Sequence, residues 1–346
     1  MQRRGFNVAM VVLHDGGPSR DLLDQAVSVH ALDRHDERPR GERMKAALPA
    51  IAAYLQECEP RLLHAPGNHL IRPSARAIAL ANYRGRFLVK LTNPLGGADL
   101  AWRARRKRRR AFRDALRRSD RVLVLSENGY RDVAKVGRGL VGKARVIHNP
   151  YVSEAMLRAA SERRPTSPPV ILSVGRLSEQ KNQAMLLRAA ARLGERPWRL
   201  RLCGTGPDEP ALRALAKDLG IADRCEFAGF LPDPLPEYLA ATVLALSSRW
   251  EGLPATMVEA MACGCPVVAT RSSEAVADLL AQAGACSPVE IDDEEGFASL
   301  LGDAIDGCLP QLRSGIVASF GMEASCDEHA AVIAELLDQG GQRIAG

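Results

Sequence analysis

EGLPATMVEAMACGCPVVAT, residues 251–270, reads as a turn, a helix and a strand in quick succession. Gly252 suits a tight turn, and Pro254 suits the first turn of the helix that follows. That helix, 254–263, is nearly all apolar: Ala255, Met257, Ala260, Met261 and Ala262 surround a single charge, Glu259. A carboxylate in such company could be a solvated helix charge, but its neighbours favour one that faces a cleft. Residues 266–269 then form a short β-rich run. A unit of this kind belongs to a parallel sheet covered on both faces.

The alternation continues in both directions. Strands are predicted at 170–174, 198–203, 225–228 and 243–247, with helices at 182–193, 209–219, 235–241 and 273–281. The first half is less regular: strands at 8–13, 61–64, 87–91, 121–125 and 144–147, helices at 46–56, 74–82 and 102–118. Ser126 is placed to cap a further helix. The polar, proline-rich SERRPTSPP (161–169) suits neither helix nor central strand. The expected organisation is a first domain over 1–152, a linker over 153–168, a second domain over 169–325, and a C-terminal helix over 326–346 that packs back on the first. A chain of 346 residues is long enough for two cores.

Composition narrows the class. Only 4% of residues are aromatic, so small aliphatic side chains must fill the cores. Eight cysteines include no C-x-x-C pair, and Cys263 and Cys265 are too close for the usual zinc spacings. Reduced, buried thiols in a cytoplasmic protein are expected. No run approaches the ~18 apolar residues of a spanning helix. The apolar run at 8–13 is too short for a signal peptide and lacks a small-residue cleavage site. The net charge of +6 is local: 103–118 carries ten Lys or Arg against one Asp, a surplus of nine, so the remainder sums to −3.

Four loops of the second half follow strands, at the sheet edge where backbone N–H groups and helix starts favour anions. Gly175 and Arg176 open the first, and Lys181 closes it. Arg grips phosphate bidentately and Lys adds a point charge, although either could be a plain surface charge. Gly204 and Gly206 let a ligand approach the second loop closely, although most such loops are only turns. Gly229 and Phe230 could frame a flat base or form a turn. The fourth loop, 247–254, brings Glu251, Gly252 and Leu253 to the start of the apolar helix. Glu251 and Glu259 can each accept O–H bonds from a sugar or ribose diol.

SVGRLSEQKN (173–182), CGTGP (203–207), EFAGF (226–230) and SSRWEGLPATMVEAMACGCPVVAT (247–270) together resemble the donor-binding domain of the retaining family 4 glycosyltransferases. RSDRVLVLSENGYRDV (118–133) and RVIHNPYV (145–152) are similar to the end of that family's first domain. The resemblance implies an α/β chain with the GT-B fold, two Rossmann-like parallel-sheet domains facing a cleft. It implies that Gly175, Arg176 and Lys181 hold the donor diphosphate. Gly204, Gly206 and Phe230 would line the nucleotide site, and Glu259 would bind the ribose hydroxyls. Glu251, with the N–H groups of Gly252 and Leu253, would bind the transferred hexose. No metal or other cofactor is implied, and no Asp-x-Asp triplet is present to carry one. In this family a histidine of the first domain often lies near the sugar. His64 and His69 follow a strand, and His69 is preferred because Gly67 and Asn68 place it in a loop toward the cleft. A lone loop histidine is also a common surface residue.

The family usually opens with a strand, a glycine-rich acceptor loop and a long helix. Here RRGFNVAMVVL (3–13) resembles the end of that helix and the second strand, so a strand–helix unit of roughly 30–40 residues is expected to be absent. That loss predicts an open sheet edge, poor folding or no turnover.

Trp102–Arg118 sets Trp102, Phe112 and Leu116 among its cations. A basic, partly amphipathic helix suits an anionic membrane, nucleic acid or plain solvent. With the resemblance, it fits a peripheral enzyme at the inner membrane face. The leading expectation is a retaining hexosyltransferase of cell-envelope glycan synthesis (lipopolysaccharide or exopolysaccharide), using a UDP-sugar and a lipid-linked or polysaccharide acceptor. A nucleotide-sugar epimerase of the same fold and a donor-binding paralogue without turnover are the alternatives. Nucleic acid is not an expected partner, because stacking aromatics are scarce and basicity is confined to one helix.

Overall fold

The computed structural model describes residues 1–14, 16, 20, 23–32, 40–95, 102–313 and 315–338. The chain divides into two compact units, one of 1–148 with 325–346, the other of 149–324.

In the first unit the described elements are β1 (Ala9–Val12), β2 (Ser28–Ala31), α1 (Arg40–Ala46), α2 (Leu48–Cys58), β3 (Leu62–Ala65), α3 (Asn68–Ala81), β4 (Arg86–Leu91), α4 (Trp102–Arg118), β5 (Arg121–Val124), α5 (Glu127–Val136) and β6 (Ala144–Val146). Strands β3-β4-β5-β6 pair in that order, all parallel. Alternation along β4 sorts its two faces. Phe87, Val89 and Leu91 pack with Ile71, Phe112, Leu116 and Val133 of α3–α5, while Leu88 faces the chain's C-terminal helix. Ser126 caps α5 as expected, its Oγ accepting from Gly129 N at 3.3 Å.

Strand β1 pairs in parallel with β2, which the sequence reading did not anticipate, and the two form a sheet of their own. Ala9 and Met10 of β1 are exposed.

In the second unit the elements are α6 (Glu154–Ala159), β7 (Val170–Val174), α7 (Gln183–Ala191), β8 (Arg199–Cys203), α8 (Glu209–Asp218), β9 (Cys225–Gly229), α9 (Leu235–Ala240), β10 (Val243–Leu246), α10 (Ala255–Ala262), β11 (Val267–Ala269), α11 (Glu274–Ala283) and α12 (Glu294–Ile305). The sheet order is β11-β10-β7-β8-β9, all parallel. The chain winds outward from β7 through β8 and β9, then returns to β7's other side with β10 and β11. The strand order therefore reverses between β7 and β10, the switch point beside which ligands bind in such sheets. Leu186, Leu187, Leu200, Leu202 and Phe297 are among the fully buried residues of its core.

The segment 153–168, expected as a linker, belongs to this second unit and carries α6. Ser153 caps that helix by accepting from Met156 N at 3.2 Å. Beyond it, Arg163 donates to the carbonyls of Ala241 and Thr242, and Thr166 N donates to Ala240 O. Backbone pairing thus consumes what composition alone presented as loose chain. Helix α12, absent from the sequence reading, starts at the Asp293 cap.

The last helix, α13 (Met322–Asp338), begins four residues earlier than expected. Its Val332 and Leu336 pack on Leu88, Leu123 and Ile147 of the first unit. Residues 339–346 of the expected C-terminal helix lie outside the described residues. All eight cysteines are free, but only Cys203, Cys263 and Cys265 are buried, and Cys58 and Cys308 are exposed.

Candidate donor-binding site

The loops after β10, β7, β8 and β9 are stitched together in the order of the strands they leave. Arg249 N donates to Gln180 O, joining the loop after β10 to that after β7. Gly175 N donates to Cys203 O and Leu177 N to Thr205 O, joining those after β7 and β8. Gly204 N donates to Gly229 O, joining those after β8 and β9.

This stitching explains two glycines. A Cβ on Gly204 would sit 2.0 Å from Gly175 O, and one on Gly206 would sit 2.0 Å from Leu177 O. Both contacts are with backbone, which cannot swing aside. Gly204 and Gly175 also have φ of 142° and 148°, where side chains are strained. The result is a pocket of about 610 Å³ lined by Val174, Gly175, Arg176, Cys203, Gly204, Thr205, Gly206, Pro207, Phe230 and Leu231. Arg176 is exposed at its wall, as is Phe230. Burial pushes the Cys203 thiol up to about 12, so it lines the pocket as an uncharged group at neutral pH.

At the switch point, Lys181 Nζ lies 2.7 Å from Glu251 Oε1. Ser248 Oγ donates to the same oxygen at 2.7 Å. Glu251 is 5% exposed while Lys181 is half-buried, so the pair is partly shielded from water, and further bonds hold its loop. Gln180 Nε2 donates to Trp250 O, Ser247 Oγ to Lys181 O and Thr270 Oγ1 to Ser248 O. Ser273 Oγ and Tyr151 Oη donate to the carbonyls of Gly252 and Leu253. Those bonds fix the peptides that lead into α10.

Glu259 lies midway along α10. Tyr238 of α9 is fully buried, and its phenol donates to Glu259 Oε2 at 2.6 Å. Burial raises the Glu259 carboxyl above its ordinary range, and the bond from Tyr238 opposes that rise. Burial also raises the Tyr238 phenol, and the neighbouring carboxylate raises it further, so it stays a donor.

The structure brings Gly175, Arg176, Gly204, Gly206 and Phe230 into one pocket. It places Lys181, Glu251, Gly252 and Leu253 around the switch point, with Glu259 on the following helix. His69 is not in a loop: it is the second residue of α3, exposed. The helix starts early because Leu70 N donates to Gly67 O. Asn68 is tied to the chain after β4, its Oδ1 accepting from Thr92 N and its Nδ2 donating to Asn93 O. Sequence reasoning missed Ser248, Tyr151 and Tyr238. A tyrosine in an apolar helix needs a partner for its hydroxyl, and that signal was available in LPEYLA.

Comparison with known proteins finds relatives over both halves of the chain. Residues 1–154 match the model of Glycosyltransferase Family 4, and residues 158–306 match that of Glycosyl transferases group 1. The lipopolysaccharide core biosynthesis glycosyltransferase LpsE of Rhizobium meliloti is 35% identical over 175 residues, 50% of this chain and 48% of the relative. An N-acetylgalactosamine-N,N'-diacetylbacillosaminyl-diphospho-undecaprenol 4-alpha-N-acetylgalactosaminyltransferase of Campylobacter jejuni is 29% identical over 190 residues, 54% of this chain and 52% of the relative. The chain thus spans about half the length of these curated relatives. The crystal structure of Anabaena Alr3699/HepE in complex with UDP and glucose shares the fold, with a TM-score of 0.76 at 18% identity, covering 96% of this chain and 93% of that one.

The fold is GT-B, and the chain is similar in sequence to glycosyltransferases along both of its halves. Within that fold, this chain carries a Glycosyltransferase Family 4 domain followed by a glycosyl transferases group 1 domain.

Proposed function

We propose that the chain is a retaining glycosyltransferase that moves a hexose from a nucleoside diphosphate sugar, preferentially a UDP-sugar, to a lipid-linked or polysaccharide acceptor of the cell envelope. The observation that carries this reading is the partly buried Lys181–Glu251 pair at the switch point, beside the glycine-built pocket that Arg176 borders. Arg176, Lys181 and the start of α10 neutralise the diphosphate without a metal. Phe230 covers the base, Glu259 accepts from the ribose hydroxyls, and Glu251 accepts from the hexose. The bond from the sugar C1 to the leaving phosphate breaks as the acceptor oxygen bonds C1 on the same face. The acceptor proton passes to the departing phosphate.

Relatives that act in lipopolysaccharide core synthesis or on a diphospho-undecaprenol acceptor support the envelope assignment. The exposed cations of α4 support work at an anionic membrane face. Calorimetric titration with UDP-, GDP- and ADP-hexoses should show binding of a UDP-hexose, followed by transfer to a polyprenyl diphosphate glycan with the anomeric configuration kept and no sensitivity to EDTA. Inversion at C1, loss of turnover on chelation, or epimerised sugar released without acceptor would overturn it.

A further inference from the structure

Tyr238 stands out among the buried polar groups for which the proposed function has no use. Among the described residues it is the largest fully buried side chain, and α9 carries it against α10. Its hydroxyl lies 2.6 Å from Glu259 Oε2. A buried phenol must donate to something, and this one is spent on the carboxylate that the proposed function assigns to the ribose.

We infer that Tyr238 is a positioning residue for nucleotide recognition: it holds one oxygen of Glu259, fixing the carboxylate and leaving the other oxygen to take the ribose hydroxyls. The inference rests on that role of Glu259. A carboxylate near the middle of an apolar helix has two ways to escape burial: rotate toward water, or take up a proton. The phenol opposes both. It holds the side chain in one rotamer, and its hydrogen bond favours the ionised form, the form that accepts from a diol. Other titratable groups face the carboxylate from neighbouring elements. The Cys263 thiol, at the end of α10, is pushed up to about 12 by burial and stays neutral at pH 7. Tyr151 is raised by burial, and its hydroxyl is committed to Leu253 O. Neither replaces the Tyr238 bond.

Tyr238→Phe removes one oxygen and keeps the ring. Affinity for UDP and for 2′,3′-dideoxyuridine diphosphate, which lacks both ribose hydroxyls, should be measured by calorimetry from pH 5 to 8. Wild type should prefer UDP. The variant should lose about tenfold in UDP affinity, the size of one charge-assisted bond, and little or none for the dideoxy analogue. Its UDP affinity should also begin to fall at a higher pH on acidification. If the variant does not fold, 3,5-difluorotyrosine at 238 keeps the shape and makes the phenol a stronger donor, and it should move that acid limb to lower pH. Equal loss for both nucleotides, no loss for either, or an unmoved acid limb would overturn the inference alone. A wild type that binds neither nucleotide, or that does not distinguish them, would remove the ribose role of Glu259 and the inference with it.

Discussion

Lys181 and Glu251 illustrate what a single pair of residues can carry. Seventy positions apart in sequence, they meet because β7 and β10 are neighbours at the switch point. Burying either charge alone is costly, and breaking such a pair leaves the partner uncompensated. Lys181→Met should therefore destabilise the second unit by about 3 kcal/mol, the usual scale for breaking a buried pair, as read from urea unfolding. Adding Glu251→Gln should restore most of that stability while donor binding stays lost. Full stability in the single variant would mean that Glu251 is solvated. At this scale the sequence was partly legible. Arg176, Lys181, Glu251 and Glu259 stood out because charges flanked by glycines at strand ends, or set in an apolar helix, need a reason. Their pairing was not legible, because which loop meets which depends on strand order. The same holds for Tyr238: its own need for a partner could be read, but not that Glu259, twenty-one residues on, would meet it.

Among elements, the strands of the second unit were the most legible, since β7 to β11 are apolar runs separated by helical patterns. Less legible were elements whose partners are remote. The chain after α6 is held by the carbonyls of Leu239 and Ala240 at the end of α9, and β2 exists by pairing with β1. Helix α13 shows how such packing carries chemistry of its own. It covers the face of the first sheet that holds His64 and Lys90, and it adds His329. Burial, then the charge of Lys90 and the nearby His329, lower the His64 imidazole to about 4. Burial brings the Lys90 ammonium down to about 8. His64 is thus neutral in the folded chain and protonates near its ordinary value of 6.5 when unfolded. The unfolded state then binds more protons between these values, so stability is full above about pH 6.5 and falls as pH drops toward 4. The expected loss over that window is about 3 kcal/mol. His64→Leu should flatten this part of the stability–pH curve, as measured by urea midpoints at each pH. An unchanged slope would show that His64 is solvated or protonates without cost.

The whole molecule is unevenly charged, and that unevenness has a use in the proposed function. Helix α4 turns Phe112, Ala115 and Leu116 inward, where they pack under the first sheet. The inner stripe is thus apolar, and the outer face carries cations. Arg103, Arg106, Lys107, Arg110, Arg117 and Arg118 are exposed, and Trp102 at the helix start is 63% exposed, with the Arg103 guanidinium 5.8 Å from its ring centroid. Among the described residues no helix is long and apolar enough to cross a membrane. Cations with an indole at the edge instead suit the headgroup level, each contributing about 1 kcal/mol near an anionic surface. The remainder of the chain, at −3, would be repelled by that surface, so attraction through α4 would also orient the molecule. Co-sedimentation with phosphatidylglycerol vesicles should therefore exceed that with phosphatidylcholine and fade as salt shortens the screening length below about 10 Å. Changing Arg103, Arg106 and Arg110 together to Gln should weaken vesicle binding on the order of a hundredfold by the same per-charge scale. UDP affinity should not change, because the proposed donor site lies in the other unit. Binding that ignores lipid charge and salt would leave α4 a solvated face, and it would detach the envelope acceptor from the membrane without touching the case for the donor site.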